Sequence, residues 1–269
     1  MSCTLWNNIK YKSFIDCLVD TPITVYDIKA ANISVLLDKG LISPEVYNNL
    51  RTAAKIEREI YIGKLQGRNP YISEKLKEGI IEAKQKFFTL NCLDDNEILE
   101  IDNDAVYIIG SRPIGVQSVS EHVYFKKAEQ YTSFYRVKNI EYFYYANIIN
   151  KIEYLNPKGL GSRAISLHEP FMLDFLKELF CRAQFEGPQS ALQILASFHQ
   201  NYCSRTLPLG YYRNLNPDSK YAVGNFDQYA TYAINNDDPR LRRIIDISYN
   251  EKILREFNML LSERYLKFK

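Results

Sequence analysis

Residues 96–110 read Asn-Glu-Ile-Leu-Glu-Ile-Asp-Asn-Asp-Ala-Val-Tyr-Ile-Ile-Gly. Two β-prone runs, 98–101 and 105–109, flank the acidic break Asp102-Asn103-Asp104. Asp and Asn tolerate unusual backbone dihedrals and bond their own backbone, so this pattern predicts a β-hairpin with the break at its tip. The tip has two readings. It is either a solvated acidic turn, the commoner outcome, or a place where two carboxylates on rigid strands hold a divalent cation.

Upstream, Leu76, Ile80, Ala83 and Phe87 recur at helical spacing, which predicts an amphipathic helix capped by Ser73 and leading into the hairpin. Before it, Ser43-Pro44-Glu45 combines an N-cap, a first-turn proline and a first-turn acid. This predicts a helix from there to about residue 65, closed by Gln66-Gly67-Arg68-Asn69-Pro70. Earlier still, the β-rich run 23–28 carries Asp27 near its end, and Ile33, Leu36 and Leu37 then repeat at helical spacing before Gly40. Strand, acid, helix is the expected local layout. Downstream, the aromatic run 131–149 reads as one or two strands. Helical patterns follow at 168–185, 190–202 and 252–268. The expected class is therefore α+β, an α+β front of about 150 residues before a mostly helical back.

The 269 residues suffice for one large domain or two small ones. The formal charge of +2 sets up no global basic field that would announce nucleic acid or a membrane surface. The 21 Tyr and 14 Phe supply either core packing or platforms for stacked bases. Five scattered cysteines without a Cys-x-x-Cys pair argue against a disulfide scaffold or zinc site and fit a reducing compartment. No stretch of about 20 apolar residues and no signal-peptide core is present, so no membrane association is expected. The three histidines show no metal spacing, and dinucleotide and P-loop glycine motifs are absent. Usage heavy in Ile, Asn, Lys and Tyr looks like that of an AT-rich genome and points to a virus or phage; the cysteine usage and the lack of a signal-peptide core predict a cytoplasmic location, the host's if the protein is phage-encoded.

A strand-end carboxylate beside a hairpin-tip pair is the arrangement that two-metal phosphoryl transfer needs. In chain order the sequence reads Tyr26-Asp27-Ile28-Lys29-Ala30-Ala31-Asn32-Ile33-Ser34 after a strand, then Lys55-Ile56-Glu57-Arg58-Glu59-Ile60-Tyr61-Ile62-Gly63-Lys64 on a helix. Glu100-Ile101-Asp102-Asn103-Asp104-Ala105 follows at the hairpin, and Phe134-Tyr135-Arg136-Val137-Lys138 in a later β-prone run. In this order the segments resemble the motifs of the family B (α-like) DNA polymerases, in particular their short, protein-primed bacteriophage branch. Those motifs read Asp-x-x-Ser-Leu-Tyr-Pro-Ser, Lys-x-x-x-Asn-x-x-Tyr-Gly-Lys and Tyr-x-Asp-Thr-Asp-Ser, followed by a lysine-rich strand tracking primer and template. The resemblance covers about residues 23–145.

The resemblance implies a palm-like antiparallel sheet with packed helices, followed by a mostly helical thumb-like part. It divides the chain into a lead-in (1–22), a palm-like catalytic domain (23–150) with reduced fingers at about 40–72, and a thumb-like domain (151–269). It implies template-directed nucleotidyl transfer to a 3′-hydroxyl with two Mg²⁺ ions, Mn²⁺ being a substitute. Asp27 and Asp102 would ligate both metals, with Asp104 a further ligand or close by. Lys55, with Arg51 and Arg58 on its helical face, would meet the incoming nucleoside triphosphate, and Asn32, Gly63 and Lys64 would complete the nucleotide site. Arg136 and Lys138, two apart on one strand, would contact primer–template nucleic acid.

The departures are specific. Glu59 replaces the helix Asn, Ile62 its Tyr, and Ala105 the Ser after the second acid. Asn32 replaces a Tyr that gates against ribose, which leaves room for a 2′-hydroxyl and makes a primase or RNA polymerase an alternative. With only 26 residues before Asp27, a proofreading exonuclease is expected on a separate subunit or not at all. One half of a split polymerase is thus a further alternative. So is an inactive palm that binds nucleic acid or acts in assembly, given Glu59 and Ala105.

Overall fold

The computed structural model describes residues 4–137, 140–147, 149–158 and 171–203. The fold is α+β, and the chain divides into two compact units. One holds residues up to 15 together with 21–131; the other holds 16–20 and the chain from 132 onward.

The first unit is built on an antiparallel sheet of β1 (Lys10–Lys12), β3 (Ile23–Ile28), β4 (Ile98–Asp102), β5 (Ala105–Ile109) and β6 (Phe125–Tyr131). Its spatial order is β1-β4-β5-β3-β6. The hairpin is present as expected, with Asn103 in the left-handed region at φ 53°, a conformation Asn tolerates. Four helices accompany the sheet: α1 (Ala31–Asp38), α2 (Pro44–Thr52), α3 (Lys55–Arg68) and α4 (Pro70–Leu90). On α4 the buried side chains Leu76, Ile80, Ala83 and Phe87 follow the predicted stripe. Phe87 stacks on Phe125 of β6 at 4.2 Å and lies 5.6 Å from Tyr26 of β3, which docks the helix on one sheet face. Gly79 lets α4 approach α1 closely. A Cβ there would lie 2.4 Å from Val35 Cγ1.

Ser43 caps α2 as expected, its hydroxyl accepting from the Val46 N–H at 3.3 Å. The single helix expected from there to residue 65 is instead two. Ala53 and Ala54 are extended (ψ 156° and 151°), and Glu57 accepts the Ala54 N–H at 3.1 Å to start the second helix. Two alanines carry the highest helix propensity, so nothing local announces the break; packing overrides propensity there. The long helix α4 begins at Pro70, with Asn69 accepting from the Tyr71 N–H, rather than at Ser73.

The second unit has its own antiparallel sheet, β2 (Cys17–Leu18), β7 (Ser133–Val137), β8 (Ile140–Asn147) and β9 (Ile152–Lys158), in the order β2-β7-β8-β9. Two helices, α5 (Phe171–Phe185) and α6 (Pro188–Cys203), match the helical patterns seen in the sequence. Phe180 of α5 stacks on Tyr144 at 5.5 Å, and Phe175 stacks on Phe198 of α6 at 3.8 Å.

The expected boundaries shift. The aromatic strands placed in the front domain belong to the second unit, residues 16–20 of the lead-in join that unit with Cys17 and Leu18 paired to β7, and 152–158, placed in the mostly helical back, form a strand. The helix expected at 252–268 lies outside the described residues. Among the described residues no helix is long and apolar enough to cross a membrane.

Candidate functional site

The site lies in the first unit at the end of β3, where the strand hands over to α1. Two backbone bonds and one from a side chain set that junction. Ile28 donates to the Asp104 carbonyl (3.1 Å), Lys29 donates to the Tyr124 carbonyl (2.9 Å), and the buried Ser34 hydroxyl donates to the Lys29 carbonyl (2.9 Å). Ala30, at φ 51°, turns the chain into the helix. These bonds hold Asp27 and the acidic hairpin tip beside each other. Both Asp27 and Asp104 line one cavity of about 770 Å³.

In-register neighbours on a sheet share a face, and this organises the charges. Asp102 pairs with Ala105, Ala105 with Asp27, Asp27 with Lys126 and Asp102 with Lys10. The row across the sheet is therefore Lys10, Asp102, Ala105, Asp27, Lys126. Each acid is met by the lysine of the neighbouring edge strand, Lys10 to Asp102 at 3.2 Å and Lys126 to Asp27 at 3.5 Å. Partial burial raises the pKa of Asp27; Lys126 opposes that and the nearby Asp104 carboxylate adds to it.

The opposite wall is cationic. Arg51 ends α2, while Lys55 and Arg58 open α3, and all three line the cavity. Lys55 is the first residue of its helix, so the positive end of the helix dipole lies with it. Among the described residues the Arg58 Nε is buried with no hydrogen-bond partner, a donor left for a ligand. Glu59 also lines the cavity and sits 3.8 Å from Lys55, which tempers the positive field. With Lys29 and Lys126, the walls carry five basic side chains against three carboxylates. This combination suits a polyanion accompanied by a divalent cation.

Beneath the hairpin tip is Lys84 of α4, fully buried. Its ammonium donates to the carbonyls of Asn8 (3.0 Å), Ile9 (3.2 Å) and Asn103 (3.0 Å). Burial pulls its pKa down to about 8, while Asp104 and Asp102 act in the opposite direction. A lysine on the apolar stripe of an amphipathic helix was the only trace of it in the sequence.

The structure sorts the expected site residues. Asp27, Asp104, Asn32, Arg51, Lys55 and Arg58 share the cavity. Asp102, expected as a principal ligand, is not among its lining residues and is engaged with Lys10; Asp104 takes its place, because the turn rather than the strand end meets β3. Gly63 and the exposed Lys64 also lie off the cavity lining, and a Cβ at Gly63 would meet nothing within 4 Å. Arg136 is 6% exposed in the second unit, with its Nε 2.7 Å from the buried Glu141 and its guanidinium over Phe134. It is a core ion pair, not a solvent-facing phosphate contact. Lys138 lies outside the described residues. Lys126 went unnoticed because the partner of an edge strand is not encoded in local spacing.

Asp27 and Asp104 are hard oxygen donors of the kind Mg²⁺ or Mn²⁺ takes. Among the described residues no three His, Cys, Asp or Glu side chains cluster to hold a metal by themselves. Any cation there needs backbone, water or ligand oxygens to complete its shell, as Mg²⁺ sites commonly do.

No curated protein matches this chain. The family described as bacteriophage PBS1 gene 130 protein matches residues 1–262. That description states a phage origin and no activity. With nearly its whole length matched, the chain belongs to the bacteriophage PBS1 gene 130 protein family.

Proposed function

We propose that this protein is a template-directed nucleotidyltransferase, a minimal polymerase resembling family B that extends a 3′-hydroxyl. The observation that carries the reading is the meeting of Asp27 and Asp104 with Arg51, Lys55 and Arg58 in one cavity. These residues come from the three segments that resemble polymerase motifs or adjoin them, and they lie far apart in the chain. The 3′-oxygen attacks the α-phosphorus of a nucleoside triphosphate, the bond to the bridging oxygen breaks, and pyrophosphate leaves with that electron pair while the hydroxyl proton goes to solvent. Mg²⁺, held by Asp27 and Asp104, would supply charge neutralisation at the attacking and leaving oxygens. Arg51, Lys55 and Arg58 hold the triphosphate, and most of the rate enhancement is positioning plus electrostatic stabilisation.

Asn32 lines the same cavity. That favours a second reading within the class, in which ribonucleotides are accepted and the enzyme makes primers or RNA. Primer extension in Mg²⁺ with dNTPs or NTPs, comparing wild type with Asp27→Ala and Asp104→Ala, tests both. Extension lost in the two variants supports the site. Absence of extension by wild type under every nucleotide set sinks the enzymatic reading and leaves a palm that binds nucleic acid or serves in assembly. Restoration on adding a second phage subunit identifies one half of a split polymerase.

A further inference from the structure

The geometry points to Lys126 as a resident counter-ion that occupies the cation position at Asp27 and is handed to the phosphates of the substrate when a divalent cation arrives. This rests on the reading of the cavity as a metal and triphosphate site. Asp27 and Lys126 are directly opposite in register on β3 and the edge strand β6, and their charged groups are 3.5 Å apart. Lys126 also lines the cavity, with about half of its side chain exposed. A lysine stem on an edge strand has room to swing; an exposed ion pair of this length is weak and costs little to break.

The row across the sheet shows why this lysine differs from Lys10. Both edge lysines neutralise an acid, but Lys10 serves Asp102, and neither of those lines the cavity. Lys126 serves the acid that does. Without metal, the ammonium offsets the repulsion between Asp27 and Asp104, whose carboxylate is near enough to oppose the ionisation of Asp27. A divalent cation at the two carboxylates makes the same ammonium a like-charged neighbour. It is then repelled from Asp27 toward the anion that the cavity receives. Lys126 thus competes with the metal alone and cooperates with a metal-loaded triphosphate. A purely structural ion pair would do neither.

The test is calorimetric binding of Mn²⁺ alone, Mn²⁺ with dATP and Mn²⁺ with ATP, for wild type and Lys126→Ala. Lys126 is exposed on an edge strand, so the variant should fold, and circular dichroism verifies it. The expected result is Mn²⁺ alone bound roughly 3–10-fold more tightly by the variant, as a competing charge is removed, and the metal–triphosphate bound at least about 10-fold more weakly. In an Asp27→Ala background, Lys126→Ala should no longer tighten Mn²⁺. Unchanged or weaker Mn²⁺ binding by Lys126→Ala overturns the counter-ion role, and unchanged triphosphate binding overturns the transfer. Wild type that binds neither ligand overturns both. Because all readouts are binding, wild type that shows the expected split yet extends no primer refutes the polymerase reading while leaving this one standing.

Discussion

Asp27 and Asp102 stand on either side of Ala105, each paired with it in register from opposite neighbours of β5. Two strand spacings, about 9.5 Å, therefore separate their backbones. Asp104, in the turn, reaches the cavity that Asp27 lines, and its carbonyl accepts from Ile28 one residue beyond Asp27. The two hairpin acids are thus not equivalent.

Primer extension should separate them. Asp27→Ala and Asp104→Ala each lower the rate by about 10³-fold or more, equivalent to roughly 4 kcal/mol of transition-state stabilisation. Asp102→Ala, which removes a half-exposed pair with Lys10, lowers it by less than about 10-fold. Equal damage from Asp102→Ala and Asp104→Ala would refute this assignment.

Lys84 should be a large and pH-dependent contributor to stability. Lys84→Met removes a buried ammonium and strips three backbone carbonyls of their donor, and should cost about 3 kcal/mol in denaturant unfolding. The sign of the pH effect follows from the depressed pKa. Lys84 titrates near 8 in the folded protein and near 10.5 unfolded, so the unfolded chain binds more protons between those values. Wild-type stability therefore rises with pH across that window. The gap between wild type and Lys84→Met should be wider at pH 10 than at pH 7.5; a gap that narrows contradicts the lowered pKa.

Gly79→Ala should destabilise the first unit although alanine is the better helix former by about 1 kcal/mol. The new methyl meets Val35, itself 1% exposed, at a distance no carbon pair adopts. Overpacking of this kind costs about 1–3 kcal/mol. Thermal unfolding of Gly79→Ala alone and with Val35→Ala measures it; the second change should restore most of the loss.

Arg136 and Glu141 should behave as a core pair. Arg136→Ala leaves a buried carboxylate and should cost about 3–5 kcal/mol, whereas Arg136→Met with Glu141→Leu should recover most of that. An unchanged stability, with the salt slope of nucleic-acid binding reduced by about one, would mean that Arg136 meets phosphate instead.

Much of the first unit was legible locally. Ser43 and Pro44 mark a helix start because an N-cap oxygen and a fixed φ act within one turn. The stripe Leu76, Ile80, Ala83, Phe87 follows from helical periodicity. The hairpin around Asp102–Asp104 was legible because tight turns demand Asp or Asn at unusual dihedrals. The break at Ala53-Ala54 was not, since neither residue disfavours helix and the cause lies in what the two helices pack against. The unit boundary also escaped local reading. Cys17-Leu18 is too short a run to show its partner, and it finds β7 more than a hundred residues away.

By itself, the sequence determined which acids sit at strand ends and turns, that Lys55 and Arg58 lie one turn apart on a helix, and that the class is α+β; Arg51, expected on the same helical face, belongs to the preceding helix. These properties are set by periods, caps and turn chemistry within a few residues. Only the tertiary structure decided that Asp104 rather than Asp102 enters the cavity, that Lys126 stands across from Asp27, that Lys84 anchors the tip from below and that Arg136 is buried. Each depends on strand order and register, which are chosen by the packing of distant segments into one core and leave no trace in local spacing.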